Sequence, residues 1–402
     1  MTKVGIIGGG ASGMMSAIIL ARMGIDVTII EKNSALGKKI LMTGNGRCNY
    51  FNDEITIDKY YTSDYAFLKK IVSENNILKA KEFLQSIGLV PRIKNGYYYP
   101  MSNTASAVLN AFLIEIEKRK IKVLLDSEVN EIKENQGKYH VIVNGKKLLF
   151  DKIIIAIGSK AGLKENNNYQ LFTSLGIKLN PVLPALCPLV LNGDFFNKWS
   201  GIRVAACVSV YEDNKFIKSD IGEVQLTDYG ISGICVMNLS SLVSRGLYNK
   251  KSVQVHLNFL PDIEKDKIDE WLTLRDKDLY RRTVIQLLES IIPYKLLYIL
   301  VSKANIKSNC HYKSLTLEEK NNLINNLCDL ILEVRETKEI FKGQVVTGGV
   351  PISRIKDNLE DKKYPGIYYT GEVLDVDGIC GGFNLGFAWI SSLVVCDDLC
   401  LK

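Results

Sequence analysis

Residues 3–31 read KVGIIGGGASGMMSAIILARMGIDVTIIE. An apolar run, Val4 to Ile7, leads into Gly8-Gly9-Gly10-Ala11-Ser12-Gly13. A helix-like segment follows, then a second apolar run, Val27 to Ile30, ending on Glu31. Strand, glycine turn, helix, strand and acid stand in the order that a dinucleotide-binding β-α-β unit requires. Gly8 makes the turn, Gly10 lets the backbone approach a pyrophosphate, and Gly13 lets helix and strand pack closely. The helix N-terminus offers unpaired N–H groups and a positive dipole end to phosphates. Glu31 suits the adenosine ribose hydroxyls and repels a 2′-phosphate.

The totals bound the rest. A length of 402 residues suggests about two to three domains. Hydrophobic content of 47% and charged content of 24% are ordinary for a globular chain with a large core. A net charge of +7 is modest and does not by itself point to nucleic acid. The start, MTKVGIIGGG, does not read as a signal peptide, because its apolar run is short and turns at once into glycines. No run of about 18 apolar residues occurs, so no membrane-spanning helix is expected. Nine scattered cysteines without a C-x-x-C pair read as reduced thiols in a cytoplasmic protein. The histidines, His140, His256 and His311, share no ligand spacing, so neither a metal site nor a Ser-His-Asp triad is expected. Demanding chemistry then falls to a bound cofactor.

Residues 34–52 (SALGKKILMTGNGRCNYFN) read as a loop folded over a ligand, with Lys38, Lys39 and Arg47 as phosphate donors. Residues 64–88 carry helical periodicity, and Asn95-Gly96 marks a hairpin within 92–100. Residues 102–119 read as a helix capped by Ser102 or Asn103. Residues 121–150 suggest a parallel strand, then a small antiparallel meander. A buried strand, 152–157, ends on Gly158-Ser159, and three prolines within 181–188 break the pattern. From about 189 to 260 the chain reads as β-rich, from 262 to about 336 as helical, and after 340 as strand and turn. The expected organisation is a cofactor domain of 1–187 with 345–402, a β-rich insertion of 188–260 with 337–344, and a helical domain of 261–336.

Residues 366–391, GIYYTGEVLDVDGICGGFNLGFAWIS, repeat the arrangement of strand, glycine turn and helix. A short strand ends at Gly371-Glu372, an acidic loop with Asp375 and Asp377 follows, and Gly381-Gly382-Phe383-Asn384 opens a final helix. One pyrophosphate needs one such turn, whereas FAD also has a distant flavin end to hold. In FAD proteins of this general fold an acid after a late strand takes the ribityl chain, the role expected of Glu372. The last helix N-terminus then faces flavin N1 and O2, favouring the anionic reduced form by about 0.3–2 kcal/mol.

The chain resembles the BaiN-like (RdsA-like) flavoproteins, a family also labelled NAD(P)/FAD-dependent oxidoreductases or aminoacetone oxidases. The resemblance covers essentially the whole length and rests on GGGASG, LMTGNGRCN, YPMSNTASAV, YGISG, VVTGGV and TGEVLDVDGICGGFN. It implies an α/β fold: a Rossmann-like FAD-binding domain built from both chain ends, an inserted β-barrel-like domain and a nested helical domain. Two positions depart from the family pattern. Asp228 stands where His usually precedes the YGISG tyrosine, and Ile234 stands where Pro usually follows. If that His touches the substrate, this protein differs in substrate or pH dependence.

The candidate cofactor residues are Gly8, Gly10, Ala11, Ser12, Gly13, Glu31, Lys32, Lys39, Gly46, Arg47, Cys48, Asn49, Val129, Gly158, Gly371, Glu372, Asp377, Gly382, Phe383 and Asn384. The candidate catalytic residues are Cys48, Tyr98 and Asp228. Cys48 suits a redox thiol or nucleophile helped by Arg47, or packing against FAD. Tyr98 suits a proton donor or packing, with strand alternation sending Tyr97 and Tyr99 to the opposite face. Asp228, beside a glycine turn, suits the same two kinds of role. Residues 275–313 hold eight Lys and Arg against three acids, which suits a solvated helical face or a dock for an anionic substrate, RNA or partner.

The expected function is hydride transfer through FAD to a C=C or similar bond of a small molecule. NAD(P)H is the expected transient donor, since no second dinucleotide fingerprint exists. The alternatives are an FAD-dependent amine oxidase and a flavin-dependent RNA- or partner-binding protein. Neither a membrane nor nucleic acid is the expected partner, and oligomeric state is not legible.

Overall fold

The structure, a computed structural model, describes residues 2–161, 169–279 and 281–401. The chain forms two compact units, Met1–Leu183 with Val345–Lys402, and Pro184–Gln344.

The first unit is built on a five-stranded parallel sheet. Its order is Ile367–Tyr369, Lys152–Ile155, Lys3–Ile7, Asp26–Ile30, Lys122–Leu124. The inner strands are runs of Ile and Val because both faces of a parallel sheet are covered. Ile6, Ile29, Ile153 and Ile154 are fully buried. The helix Ala11–Arg22 crosses between the first two strands and buries Met14, Met15, Ala17 and Ile18. The strands Val129–Asn135, Lys138–Val143 and Lys146–Phe150 form the antiparallel meander.

The helix Phe383–Leu401 brings the chain's far end against its beginning. Ser392 Oγ donates to Ser12 O at 3.0 Å, and Cys396 Sγ to Ser16 O at 3.6 Å. Its stretch Phe383–Cys400, with mean hydropathy 1.3, is long and apolar enough to cross a membrane. Its apolar surface is spent on the core instead. Trp389 is fully buried, donates to Tyr50 O at 2.8 Å and stacks on Phe112 at 5.1 Å.

Two local expectations shift. Residues 34–52, read as a loop, contain the short helix Lys38–Met42, which starts after Gly37 at φ +68°, and a turn of 3-10 helix, Thr43–Gly46. Helices Tyr65–Ile71 and Glu74–Ser86 are capped by the side chains of Asp64 and Ser73. The helix Ala105–Lys118 starts later than Ser102 or Asn103 would set it. Asn103 turns the chain at φ +58°, and Thr104 is the residue at the cap.

The second unit contains a closed antiparallel barrel. Its strand order is Leu189–Leu191, Gly230–Ser232, Lys215–Leu226, Arg203–Glu212, Val253–Asn258, Leu330–Thr337. Two segments differ from the sequence reading. Ile234–Tyr248, within the stretch read as β-rich, is a helix that starts after Gly233 at φ +112°. Its buried face includes Ser240, Ser241 and Ser244, which hides the apolar period that marks a helix. Leu330–Thr337, within the stretch read as helical, alternates buried and exposed residues and closes the barrel. The helices Ile268–Asp278, Val284–Leu288, Tyr294–Lys303 and Leu317–Cys328 share a continuous core with the barrel.

Candidate cofactor site

The first glycine turn separates two kinds of requirement. A Cβ on Gly8, which sits at φ +106°, would stand 2.4 Å from Ala156 O. A Cβ on Gly13 would stand 2.0 Å from Gly8 O. Both clashes are with backbone, so the fold itself demands these glycines. Gly10 is different. It precedes the first helix at φ −80°, without a side-chain cap, and a Cβ there would meet nothing within 4 Å. The chain leaves open space at Gly10, as a ligand lying close to the backbone requires. The amides of Ala11, Ser12 and Gly13 have no intrahelical acceptor. Together they fit a pyrophosphate.

Glu31 anchors the turn from the end of the second strand. Its Oε2 accepts from Gly9 N at 2.6 Å, and its Oε1 from Asn33 N at 2.8 Å and Asn33 Nδ2 at 2.6 Å. A carboxylate has about four acceptor positions, so a further donor such as a ribose hydroxyl still has room. Gly9 escaped the sequence reading. A Cβ there would lie 2.2 Å from Leu36 Cδ2, and its place as the middle glycine of GGG is its one sequence signal. Lys32 follows Glu31 and is half-buried. Val129 is buried opposite Val143 at the head of the meander.

The late glycine turn adjoins the first. Gly371, at φ +72°, donates to Ser391 Oγ at 2.9 Å, and a Cβ on it would lie 2.9 Å from Ser12 Oγ. Glu372 pairs with Lys39 at 2.7 Å, and Lys39 also reaches Ser159 at 3.1 Å. Gly158, before that serine, has φ +64°. Asp377 is buried, and its backbone pairs with Tyr61. A Cβ on Gly382, at φ +91°, would lie 2.6 Å from Phe51 O and 2.8 Å from Asn49 Oδ1. Phe383 is buried and meets Tyr60 edge-on at 6.2 Å. The Asn384 amide is committed to the protein, exchanging two 2.8 Å hydrogen bonds with the Gly378 backbone. Asn49 Oδ1 and Thr370 Oγ1 are buried without a partner. Orphaned buried oxygens are costly. Two of them beside these glycine turns fit a polar ligand such as FAD.

The three candidate catalytic residues stand in different surroundings. Cys48 is fully buried at φ +57°, and burial pushes its thiol up to about 11 despite a hydrogen bond with Thr43. A nucleophile or redox thiol needs the thiolate, the form that this burial disfavours. Arg47 is exposed, and its guanidinium stands over the Tyr99 ring at 5.6 Å. Gly46, before it, turns the loop at φ +80°. Tyr98 donates to Asp53 Oδ1 at 2.7 Å, on an oxygen that Lys81 also reaches at 2.6 Å. Burial and then the Asp53 bond raise the Tyr98 pKa. Alternation does send Tyr97 and Tyr99 to the other face. A Cβ on Gly381 would lie 2.7 Å from Tyr97 Cε1, which places Tyr97 at the late glycine turn. Asp228 belongs to the second unit, on an exposed bend before Gly230–Ser232. Ile234, the other departure, is 59% exposed at the start of its helix.

Residues 2–398 match the model of the HI0933-like protein Rossmann domain. The chain belongs to this family. The 3-dehydro-bile acid delta(4,6)-reductase of Clostridium scindens is 36% identical over 396 residues, 97% of each chain. The ribosomal RNA dihydrouridine synthase of Escherichia coli is 25% identical over 401 residues, 98% of this chain and 97% of that one. Among solved structures, the 3-ketosteroid-delta4-(5alpha)-dehydrogenase of Rhodococcus jostii RHA1 aligns over all of this chain and 97% of its own, at 12% identity and TM-score 0.49. The HI0933-like match spans the barrel and its helices as well as both ends of the Rossmann unit.

Proposed function

We propose that this protein, an FAD-dependent oxidoreductase of the HI0933-like family, takes hydride from NAD(P)H and delivers it to a C=C bond conjugated with a carbonyl. The observation that carries this reading is the 36% identity, over 97% of both chains, to a delta(4,6)-reductase. The name of the Escherichia coli relative also denotes hydrogenation of a C=C bond, in a uracil ring.

Bound FAD supplies the hydride chemistry, at flavin N5. The residues of the chain hold and tune it. The amides of Ala11 to Gly13 take the pyrophosphate beside Gly10. Glu31 takes the adenosine ribose with its remaining acceptor capacity. Glu372 and the Gly371 turn take the ribityl end, where Asn49 and Thr370 present buried oxygens. The N-terminus of Phe383–Leu401 favours negative charge on the reduced ring by about 0.3–2 kcal/mol. Tyr97 and Tyr99, on the strand face opposite Tyr98, are further candidates for contact with a substrate. The nine free cysteines suit a reducing cytoplasm.

An acceptor screen without oxygen tests the reading. Enzyme reduced by NADH or NADPH is offered a conjugated 3-oxo steroid and its saturated counterpart. Re-oxidation by the conjugated compound alone, with a product two mass units heavier, supports it. Reduction of the flavin by an amine but by neither nicotinamide would replace it with the oxidase.

A second reading makes the acceptor a uracil in RNA, favoured by the full-length match to ribosomal RNA dihydrouridine synthases. The basic stretch lends it limited support. Arg275 is bonded to Leu287 O, Lys295 to Ser200 O, and Lys303 lies on the Phe195 ring, so these three serve packing within their own unit. Tight RNA binding with a steep salt dependence would favour this reading.

A further inference from the structure

One ammonium in the first unit joins three segments distant in sequence. Lys39 Nζ donates to Glu372 Oε2 at 2.7 Å and to Ser159 Oγ at 3.1 Å. The other oxygen of Glu372 accepts from Val346 N at 3.2 Å. Ser159 is buried, and its hydroxyl accepts from Ala161 N at 3.2 Å. The side chains of Lys39 and Glu372 are 30% and 17% exposed, so water screens this pair less than an ordinary surface pair. Glu372 adjoins Gly371, whose turn packs on Ser12 at the mouth of the first helix. The carboxylate therefore stands beside the cradle that fits an anionic dinucleotide, and left alone its charge would oppose that ligand.

We propose that Lys39 is a positioning residue that acts through Glu372, neutralising and aiming its carboxylate, rather than a direct holder of the cofactor phosphates. This rests on the FAD reading. Two of the three donors of the ammonium are already committed. Both Glu372 oxygens are held as well, one by Lys39 and one by the Val346 amide. With Ser159 and Val346, the set is therefore a fixed clasp across four segments. The Glu372 charge also reaches Tyr169, whose phenol is kept protonated by burial first and by that carboxylate second.

The test is FAD affinity, read by quenching of flavin fluorescence on apoprotein whose fold is checked by circular dichroism. The proteins are wild type, Lys39→Met, Lys39→Arg, Glu372→Gln and the double variant Lys39→Met/Glu372→Gln. We expect Lys39→Met to weaken FAD binding by about tenfold or more, a loss typical of a partner removed from a coupled pair. Lys39→Arg restores most of the affinity, and so does Glu372→Gln added to Lys39→Met, because the uncompensated carboxylate is gone. A double variant as weak as Lys39→Met overturns the proposal and makes Lys39 a direct phosphate ligand. Wild-type affinity in Lys39→Met overturns it too. Wild-type apoprotein that takes up no FAD removes the underlying FAD reading, a separate result.

Discussion

The amide of Gly9 donates a 2.6 Å hydrogen bond to the carboxylate of Glu31, tying the glycine turn to the end of the second strand. Asn33 supplies two more donors to the same buried carboxylate. Glu31→Ala would strand these N–H groups where little water reaches. Each unsatisfied buried donor costs about 1–3 kcal/mol. We expect a loss of about 3 kcal/mol in the apoprotein, measured as a lower urea midpoint at constant slope, together with weaker FAD binding.

Gly10 and Gly13 sit three residues apart and should fail differently. Gly13→Ala forces a Cβ to within 2.0 Å of a carbonyl oxygen, so the apoprotein itself should be destabilised or unfolded. Gly10→Ala meets only open space in the protein. Its urea midpoint should match wild type, while FAD affinity falls by about tenfold or more, equivalent to ~1.4 kcal/mol. Equal FAD affinity in Gly10→Ala would mean that no ligand approaches the backbone there.

Cys48 and Tyr98 should prove dispensable for turnover. With its thiol pushed up to about 11 and fully buried, Cys48 should resist iodoacetamide in the folded protein at pH 7.5 and react only after denaturation. Cys48→Ala should keep the wild-type kcat. Tyr98→Phe loses one hydrogen bond to the half-exposed Asp53, about 1 kcal/mol of stability, and also keeps its kcat. A hundredfold fall in kcat for either variant would restore it to the reaction.

Glu115 should mark the acid limb of stability. It is bonded to Arg22 at 3.1 Å and to Arg119 at 3.0 Å. Burial alone would raise its pKa, but the hydrogen bonds from Arg22 and Arg119 outweigh it, and the carboxyl is held below the usual range. A carboxyl depressed in the folded state contributes stability above its unfolded value of about 4.3. That stability is lost as pH falls through the lower folded value. Glu115→Gln should therefore cost about 2 kcal/mol at pH 7 and progressively less below about pH 4, measured by urea unfolding.

Much of this fold was legible because local physics and global architecture agree. Gly8 to Gly13, framed by apolar runs and followed by Glu31, specify the first β-α-β unit almost alone. Gly371 to Asn384 announce the second turn. The misses have physical causes. Ile234–Tyr248 buries serines whose hydroxyls bond backbone carbonyls, as Ser240 does to Met237 O, so its buried face looked polar. Leu330–Thr337 directly follows the helix Leu317–Cys328, and eight alternating residues are too few to stand out from that helical stretch. At the site, residue types were easier to read than pairings. That Lys39 would meet Glu372, or that Tyr98 would be claimed by Asp53, depends on contacts across 333 and 45 residues. No local pattern encodes these.

The most direct test of the central claim is a visible spectrum of purified protein reconstituted with FAD, followed without oxygen as NADH and NADPH are added separately. An FAD-dependent reductase should show flavin bands, release FAD on denaturation, and bleach with one or both nicotinamides. A protein that binds no FAD after reconstitution, or whose flavin stays oxidised with both donors, would not be a nicotinamide-driven FAD reductase.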